Sequence, residues 1–455
     1  MTEHFPAVRI IVLNYNGAGR IEKCLHHLQA TDYPSLRITV VDNASTDGSV
    51  AEIERLFPDI ELIENATNVG FSRGNNRALR SACEPYLGLL NPDTQVDPNW
   101  LRPLVIHLNN DPLVGGVGPK ILHLHDRLPL NMTSPKYSPP DPDTRHLGFR
   151  LYGAQTSAGS ADVTSGAYGT ELDRDGKPFR WTSPHVKLSI PIADTNTDVD
   201  LEFQVAAPAT CPKVPVTVQI GSHPIGETEL TAEQSTVRVR VGSELSKRLA
   251  RPAIESAGIT PLADGSMRDR GTRLLAGTPW SDWDGPNYDI PQEIFAPKGA
   301  AVLYRRDMLE ALGYLDSGIF MYYEDADLAW RAHRRGWRFW YEPAGVVRHE
   351  HAALSHEWSP GFVHNVEFGK LRMLAKNAPL LWGLQHTATI IHSALDDARR
   401  SITLRDTQAA HLALARVRAL RDTFLASPST LKLRNTEARL APLDGREITA
   451  FVESQ

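Results

Sequence analysis

Acidic side chains follow short apolar or aromatic runs at three places in the sequence. Asp42 directly follows one apolar run, Asp93 lies just beyond another, and the pair Glu324 and Asp325 follows the segment F-M-Y-Y. If these runs are strands of an open α/β sheet, their carboxyl ends are where such sheets bind ligands. These acids are therefore the first candidates for binding or catalytic residues.

Two of these acids suit the binding of a nucleotide diphosphate. Asp42 lies in V-V-D-N-A-S-T-D-G-S, where small polar residues follow the acid, and it could bind a nucleobase or a ribose. The alternative is a turn aspartate that caps the next helix. Asp93 lies in L-L-N-P-D-T and could bind a hard divalent cation that holds a diphosphate. The alternative is that N-P-D only forms a turn.

The remaining candidates suit proton transfer and metal binding. Glu324 and Asp325 follow an aromatic run, which is a position suited to a general base at the floor of a pocket. Acids in a first helical turn are also favoured by the helix dipole alone. His349, in V-V-R-H-E-H, could complete a metal site, with His351 as the second choice. A lone histidine after a strand is often structural.

The elements that would position these residues alternate between strand and helix. Apolar runs predict the strands, and apolar residues at helical spacing predict that the segments between the strands are helices. The predicted strands are 8–13, 36–41, 60–63, 86–90 and 299–304, and the predicted helices are 17–30, 49–57, 73–83, 306–312 and 324–337. This alternation predicts a parallel α/β sheet with helices on both faces.

A different pattern interrupts this alternation at residues 128–251. Apolar and polar residues alternate with period two in the segments 186–192, 199–205, 214–220 and 236–241. Strands with one buried face have this pattern, so we predict an all-β, sandwich-like insertion. Its role is left open between packing or acceptor positioning and carbohydrate binding. The last segment, 381–455, is predicted to be helical, with its amphipathic pattern broken at Pro428.

Composition excludes several classes of protein. The 455 residues carry 48 basic and 54 acidic side chains, are 41% hydrophobic and have a formal charge of −6, which indicates a globular protein and gives no support to nucleic-acid binding. The three cysteines form no C-x-x-C pair, so a zinc or redox site is not expected. No signal peptide is recognised and no apolar stretch reaches ~18 residues. We therefore expect a cytoplasmic protein.

Seven segments in order resemble the family 2 glycosyltransferases of the GT-A fold, especially their rhamnosyltransferase-like branch. They are I-V-L-N-Y-N-G (11–17), V-V-D-N-A-S-T-D-G-S (40–49), N-V-G-F-S-R-G-N-N (68–76), L-N-P-D (90–93), A-P-K-G-A-A-V-L-Y-R-R (296–306), F-M-Y-Y-E-D-A-D-L-A-W-R (320–331) and V-V-R-H (346–349). The resemblance implies an α/β GT-A fold, the nucleotide-diphospho-sugar transferase fold, split over 1–127 and 252–380. The β insertion at 128–251 would interrupt it, and the helical region 381–455 would follow it.

The resemblance also implies the roles of individual residues. Asp325 matches the catalytic base, with Glu324 beside it, and Asp93 and His349 match metal-binding positions. Asn91 stands where the family's D-x-D motif has its first acid, which puts tight metal dependence in doubt. The positions that match the nucleotide-sugar pocket or border it are Asn14, Asn16, Asp42, Asn68, Gly70, Arg73, Asn76 and Asn91.

The function implied is an inverting transfer of a hexose, with rhamnose as one choice, from a nucleotide-diphosphate sugar. The acceptor would be a hydroxyl of a cell-surface or lipid-linked glycan, in polysaccharide biosynthesis of the cell envelope. The cofactor would be Mg²⁺ or Mn²⁺. The reaction would take place in the cytoplasm. The resemblance leaves open whether the protein acts at the inner face of the membrane, whether it associates peripherally with the membrane and whether it forms a homodimer.

Two other classes of function are weaker. A non-catalytic nucleotide-sugar or glycan-binding protein could keep this fold, but the presence of Asp93, Asp325 and His349 argues against it. A nucleotide-dependent oxidoreductase would need a third glycine after Gly17 and Gly19, and Glu22 stands there.

Overall fold

The computed structural model divides the chain into two compact units. It describes residues 5–139, 142–211, 213–350, 359–441 and 450–452, so His351 lies outside the described residues. The first unit comprises Met1–Leu122, Ser256–Arg270 and Gly285–Gln455, and the second comprises His123–Glu255 and Gly271–Asp284. The insertion was predicted at 128–251, whereas the second unit also takes in Gly271–Asp284.

The amino-terminal part of the first unit alternates strand and helix. The elements are β1 (Val8–Asn14), α1 (Ile21–Gln29), β2 (Leu36–Asp42), α2 (Ser49–Leu56), β3 (Glu61–Glu64), α3 (Phe71–Ser81), β4 (Tyr86–Leu90), β5 (Thr94–Val96), α4 (Leu101–Asn110) and β6 (Val114–His123). Val8, Ile10, Ile11 and Val12 of β1 are fully buried. Such continuous apolar runs are typical of strands covered on both faces.

The middle of the chain is almost entirely strand. The elements are β7 (Arg127–Thr133), β8 (Arg150–Thr156), β9 (Gly159–Ser160), β10 (Asp162–Leu172), β11 (Pro178–Pro191), β12 (Val199–Ala206), β13 (Val214–Ile220), β14 (His223–Leu230), β15 (Ser235–Val241) and the short helix α5 (Ser243–Leu249). In β13, Val214, Val216, Val218 and Ile220 are buried and alternate with more exposed residues. The period-two pattern therefore reflects one buried face.

The rest of the chain begins with short strands and ends in long helices. The elements are β16 (Ile254–Ser256), β17 (Ile259–Pro261), β18 (Met267–Asp269), β19 (Thr272–Leu275), β20 (Thr278–Ser281), a 3₁₀ turn (Pro286–Tyr288), β21 (Gln292–Ile294), β22 (Ala301–Arg305), α6 (Arg306–Leu312), α7 (Glu324–His333), β23 (Arg338–His349), α8 (Pro360–Asn377), α9 (Leu380–Leu404) and α10 (Thr407–Leu440). Among the described residues, no helix combines the length and the apolar character needed to cross a bilayer.

The main sheet of the first unit is mixed rather than fully parallel. Its path runs β21-β23-β6-β22-β4-β1-β2-β3. Strands β4, β1, β2 and β3 are parallel, but β22 is antiparallel to both β4 and β6. The prediction of an all-parallel sheet was therefore wrong at β22. Because β22 runs the other way, its beginning lies at the same edge as the ends of β1, β2 and β4.

The second unit holds an antiparallel sheet of nine strands and the separate two-stranded sheet β19-β20. The path of the nine-stranded sheet runs β14-β13-β7-β11-β8-β12-β15, with β10 paired to β11 and β9 paired to β8. Hydrogen bonds connect all nine strands in one path, and the first and last strands of that path, β14 and β15, contact each other. The core of this unit consists of inward-facing apolar side chains such as Leu130, Leu188, Phe203 and Val218.

The carboxyl-terminal helix α10 continues through Pro428, where the sequence predicted a break. A proline inside a helix removes one backbone hydrogen bond and crowds the preceding turn. Contacts with the end of α8 hold the segment after the proline: Arg372 donates to Thr430 Oγ1 at 2.9 Å, and Arg434 donates to the carbonyls of Ala375 and Ala378. Tertiary packing therefore overrides the local preference of proline.

A buried ionic network fixes the segment before α7 to α8. Asp316 accepts from Arg372 Nε at 2.9 Å and from Lys376 Nζ at 2.6 Å, and Lys376 also lies 2.7 Å from Asp327. All four side chains are at most 7% exposed. Burial alone would raise the pKa of Asp316, but the charges of Lys376 and Arg372 hold that pKa well below its ordinary value.

We expect Asp316→Asn to lower the free energy of unfolding by about 3 kcal/mol, because it leaves buried cations without part of their compensation. Urea denaturation at pH 7 measures this. The control is Asp32→Asn, which alters an exposed ion pair with Arg102 at 3.4 Å and should change stability by less than about 1 kcal/mol. If Asp316→Asn lowers the free energy of unfolding no more than Asp32→Asn does, the buried network adds nothing to stability beyond an exposed ion pair.

Candidate active site

The candidate site is a cavity of about 470 Å³ in the first unit, where the ends of the parallel strands meet the beginnings of β22 and α7. Seven of the residues predicted from the sequence line it: Asn68, Gly70, Asn91, Asp93, Glu324, Asp325 and His349. They come from segments far apart in the chain. Strand direction explains why they meet, because carboxyl ends of parallel strands share one edge of the sheet.

Asp93 and His349 form a close pair in this cavity. Asp93 Oδ1 lies 3.1 Å from His349 Nε2, and both side chains are buried. Asn91 Nδ2 lies 3.4 Å from the same nitrogen. The pair is fixed by the sheet, because β5 follows Asp93 directly and pairs with the end of β23, with Thr94 opposite His349.

The donors of this pair fit a hard divalent cation that is shared with a substrate. In the described residues, no group of three His, Cys, Asp or Glu side chains could enclose a metal by itself. One carboxylate with room for phosphate oxygens is how Mg²⁺ is commonly held in enzymes, and the imidazole adds one nitrogen ligand. Asp93 and His349 are therefore the residues that would hold such an ion.

Asp325 lies at the start of α7, and two backbone amides bind its carboxylate. Gly299 N donates to Oδ2 at 3.1 Å, and Ala326 N donates to Oδ1 at 2.7 Å. Burial raises the pKa of Asp325 above its ordinary value, and the two amides oppose the rise only in part. A carboxylate with a raised pKa that faces a cavity is suited to accept a proton.

Glu324 is only 6% exposed, and its Oε2 has no hydrogen-bond partner in the described part of the chain. Burial, followed by the charge of the adjacent Asp325, raises the pKa of Glu324 to about 8. At neutral pH this side chain is therefore mainly a neutral carboxylic acid.

This raised pKa predicts a pH dependence of stability. The contribution of neutral Glu324 is fully present below its unfolded pKa near 4.5 and is lost as the pH rises through about 8. Glu324→Gln stays neutral at every pH. We therefore expect the Tm of the variant, relative to the unmodified protein, to rise by about 3 °C or more between pH 5 and pH 9. A constant Tm difference across this range in scanning calorimetry would contradict the raised pKa.

The backbone before α7 adopts a conformation that is uncommon for these residues. Tyr322 and Tyr323 have φ angles of +70° and +69°. Bulky residues in this region store strain, which is most often found at functional sites. The turn directs the next two side chains, Glu324 and Asp325, towards the cavity.

Gly70 allows a second loop to approach this turn. Its φ is +85°, and a Cβ atom there would lie 2.6 Å from the carbonyl oxygen of Phe320. The next residue, Phe71, donates its N–H to that oxygen at 2.6 Å. Only glycine fits this position without displacement of the backbone, so Gly70 shapes the cavity wall by having no side chain.

Asp42, Asn14 and Asn16 do not line the cavity. Asp42 is 2% exposed, and its carboxylate accepts from Asn14 Nδ2 at 2.9 Å, from Ser45 Oγ at 2.6 Å and from Ser45 N at 2.9 Å. Asn16 Oδ1 accepts from Thr46 N at 2.8 Å. These contacts organise the loop after β2. The neighbouring Asn43 lines the cavity instead of Asp42.

Arg73 and Asn76 also lie outside the cavity lining. They lie on α3, where Arg73 Nε donates to the carbonyl of Ser317 at 2.8 Å and Asn76 Nδ2 donates to that of Leu315 at 2.8 Å. Leu315 N returns a hydrogen bond to Asn76 Oδ1 at 3.1 Å. Both side chains are directed at this loop, so in this arrangement they support the segment that leads to α7.

Seven further polar or charged residues line the cavity that were not predicted from the sequence as site residues. They are Tyr15, Asn43, Arg268, Asp269, Lys298, Tyr322 and Tyr323. Asn43 Nδ2 donates to Asn68 Oδ1 at 2.9 Å, which joins two loops of the lining. All of them except Arg268 and Asp269 lie inside the quoted motifs, but local sequence does not show which motif positions face a cavity.

Residues 9–158 match the family model described as "Glycosyl transferase family 2". The chain is 28% identical over 119 residues to an uncharacterized glycosyltransferase of Haemophilus influenzae. The aligned region covers 26% of this chain and 37% of that protein. The chain is 25% identical over 132 residues to the N-acetylglucosaminyl-diphospho-decaprenol L-rhamnosyltransferase of Mycobacterium tuberculosis, and this aligned region covers 27% and 42%. The match thus spans about two fifths of the length of these relatives.

Among solved structures, the chain is similar to a mannosyltransferase of Pyrobaculum calidifontis in complex with GDP-Man and Mn²⁺. The identity is 16% and the TM-score is 0.38, over 98% of this chain and 79% of that one.

Proposed function

We propose that this protein is an inverting glycosyltransferase that transfers a hexose from a nucleotide-diphosphate sugar to a hydroxyl group of a glycan. The observation that carries the proposal is the presence of two different chemical groups in one cavity. Asp93 and His349 suit a cation and a diphosphate, and Asp325 is a carboxylate that can accept a proton. The family match supports the same class of reaction.

In the proposed reaction, Asp325 accepts the proton of the acceptor hydroxyl as that oxygen bonds to the anomeric carbon of the donor. The bond between this carbon and the diphosphate oxygen breaks at the same time, and the configuration at the carbon inverts. The amide hydrogen bonds from Gly299 and Ala326 hold the Asp325 carboxylate in place. A bound Mg²⁺ or Mn²⁺ would offset the negative charge on the departing diphosphate.

The other polar residues are assigned to the donor side of the cavity. Asn43 donates to Asn68 Oδ1 at 2.9 Å and holds Asn68 in place, and Asn68 offers its side-chain N–H groups to the nucleoside or the sugar. Asn91 lies beside His349 and extends the diphosphate site. We assign Asp42, Asn14 and Asn16 an indirect role, because they hold the loop that carries Asn43.

The donor and acceptor are further parts of the proposal. The name of the Mycobacterium relative specifies rhamnose as the transferred sugar and a diphospho-decaprenol acceptor. We take rhamnose and a lipid-linked glycan of the cell envelope as the first choices here, with the reaction on the cytoplasmic side of the membrane.

We assign catalysis to the first unit, because every residue that lines the cavity belongs to it. Helix α9 of this unit exposes a row of apolar side chains, with Leu384 and Leu395 at 67% and 66% exposure. This row supports either contact with a membrane surface or formation of a homodimer. Flotation with liposomes and the mass in solution by light scattering separate the two.

The direct test is a screen of nucleotide sugars with Mg²⁺ or Mn²⁺. The panel contains dTDP-rhamnose, UDP-glucose, UDP-galactose and GDP-mannose, and the readouts are thermal stability and release of nucleotide diphosphate. We expect one donor to raise the Tm in the presence of the cation and to be turned over. Binding of a donor with no turnover to water or to any glycan acceptor would favour a binding protein. Absence of binding to every donor would contradict the proposal.

A further inference from the structure

A charged pair in the same cavity has no part in the reaction described above. Asp269 Oδ2 lies 3.1 Å from Lys298 Nζ, and both residues line the cavity. The side chains are 28% and 16% exposed. The second carboxylate oxygen, Asp269 Oδ1, is buried and has no hydrogen-bond partner in the described residues.

An unpartnered buried carboxylate oxygen is costly, so it calls for an explanation. A purely structural ion pair would be expected to satisfy both oxygens from the surrounding protein. Here Asp269 ends β18 of a short hairpin with β17, and only one of its oxygens meets Lys298. The Asp269 side chain keeps 28% of its surface exposed, so a group that enters the cavity can reach its carboxylate, and the unpartnered Oδ1 can gain a partner when such a group binds.

The position of the pair relates it to Asp325 rather than to the diphosphate site. Lys298 directly precedes Gly299, whose amide binds Asp325 Oδ2 at 3.1 Å. Asp269 and Lys298 are also close enough to shift the pKa of Asp325, upwards and downwards respectively. In the proposed function the acceptor hydroxyl meets Asp325, so the pair faces the molecule that carries this hydroxyl.

We propose that Asp269 and Lys298 form a subsite for the acceptor sugar, in which they bind hydroxyl groups next to the one that reacts. A sugar hydroxyl can donate a hydrogen bond to the Asp269 carboxylate, and a neighbouring oxygen can accept one from Lys298 Nζ. Two such bonds hold the ring in one orientation. The pair thereby selects which hydroxyl reaches Asp325, and hence the linkage that is made. This inference rests on the proposed function.

The test uses Asp269→Asn and Lys298→Met in the full-length chain. The acceptor probes are p-nitrophenyl glycosides of rhamnose, glucose, galactose, mannose and N-acetylglucosamine, and binding is measured by saturation-transfer NMR with the donor nucleotide present. For transfer, KM and kcat are measured with each glycoside, and donor hydrolysis is measured without one. The control is Asp264→Asn, which makes the same chemical change just before β18 and outside the cavity lining.

We expect both variants to raise the KM for a glycoside about tenfold or more, which is the scale of losing one charge-assisted hydrogen bond. Hydrolysis of the donor should fall much less than glycoside transfer, because water does not need the subsite and feels only the influence of the two side chains on the pKa of Asp325. Lys298→Met should also change the linkage of the product, and Asp264→Asn should leave KM and linkage unaltered.

Several results would overturn the subsite. One is an equal loss of glycoside transfer and donor hydrolysis, and another is a raised KM for the donor alone. A third is an unchanged KM for the glycoside. The fourth is that every glycoside binds the variants as well as it binds the unmodified protein, or binds neither. Failure of the proposed function itself looks different, because the unmodified protein would then neither hydrolyse nor transfer any donor.

Discussion

Asp325→Asn is expected to lower the rate of sugar transfer by roughly 10³-fold while the donor still binds with nearly unchanged affinity. The amide of asparagine cannot accept the proton of the acceptor hydroxyl, and loss of a general base costs roughly 10²- to 10⁴-fold. The carboxylate is held by the amides of Gly299 and Ala326, and asparagine can keep part of this arrangement through its side-chain oxygen. The fold should therefore persist.

The measurement is kcat from nucleotide release, together with the donor Kd from calorimetry. Asp307→Asn is the matched control, because Asp307 also lies in the first turn of a helix but outside the cavity lining. Turnover of Asp325→Asn within tenfold of the unmodified protein would remove Asp325 from the role of base. A parallel loss of donor binding would assign it to the donor site instead.

Asp93→Asn is expected to lower kcat by roughly 10²- to 10³-fold, the scale observed when one electrostatic stabiliser of a transition state is lost. Asp93 and His349 lie 3.1 Å apart and would hold one cation together. We therefore expect His349→Ala to have a similar effect, and the double variant to be little worse than either single one. Such non-additivity is typical of residues that act as a unit.

Activity measured against Mg²⁺ or Mn²⁺ concentration tests this directly. The variants should need more cation for half-maximal activity. Asp97→Asn, an exposed acid four positions further along the chain, should behave like the unmodified protein. If Asp93→Asn and the unmodified protein show the same cation dependence, Asp93 does not hold the ion. If the two single losses simply add, Asp93 and His349 act separately.

Much of the cavity could be predicted because strand direction and sequence order determine it together. Asp93 lies just after a parallel strand, so its position at the ligand-binding edge follows from the fold class. Asp42 shows the limit of this argument. It also ends a parallel strand, but its carboxylate is directed into its own loop by Asn14 and Ser45. Strand ends determine where a residue lies, and the surrounding hydrogen bonds determine which way its side chain is directed.

Other features could not be obtained from local sequence because they depend on distant partners. The direction of β22 is set by its pairing with β4 and β6. In the second unit, the period-two pattern predicted the strands, but pairings such as β7 with β11 and β13 are tertiary. The same holds for Asp269 and Lys298, whose segments are separate in the sequence and meet only in the folded first unit.

The pairing of β4 has a consequence for the order in which the molecule folds. This strand lies between β1 and β22, and its Leu90 pairs with Ala301. Contacts between such distant parts of a chain close large loops and slow the search for the native state. During synthesis, the amino-terminal strands are made before β22. The edge of β4 that pairs with β22 therefore has no partner strand until β22 has been made. We expect the edge of β4 that pairs with β22, and the cavity beside it, to be among the last parts of the protein to gain protection from hydrogen exchange during refolding.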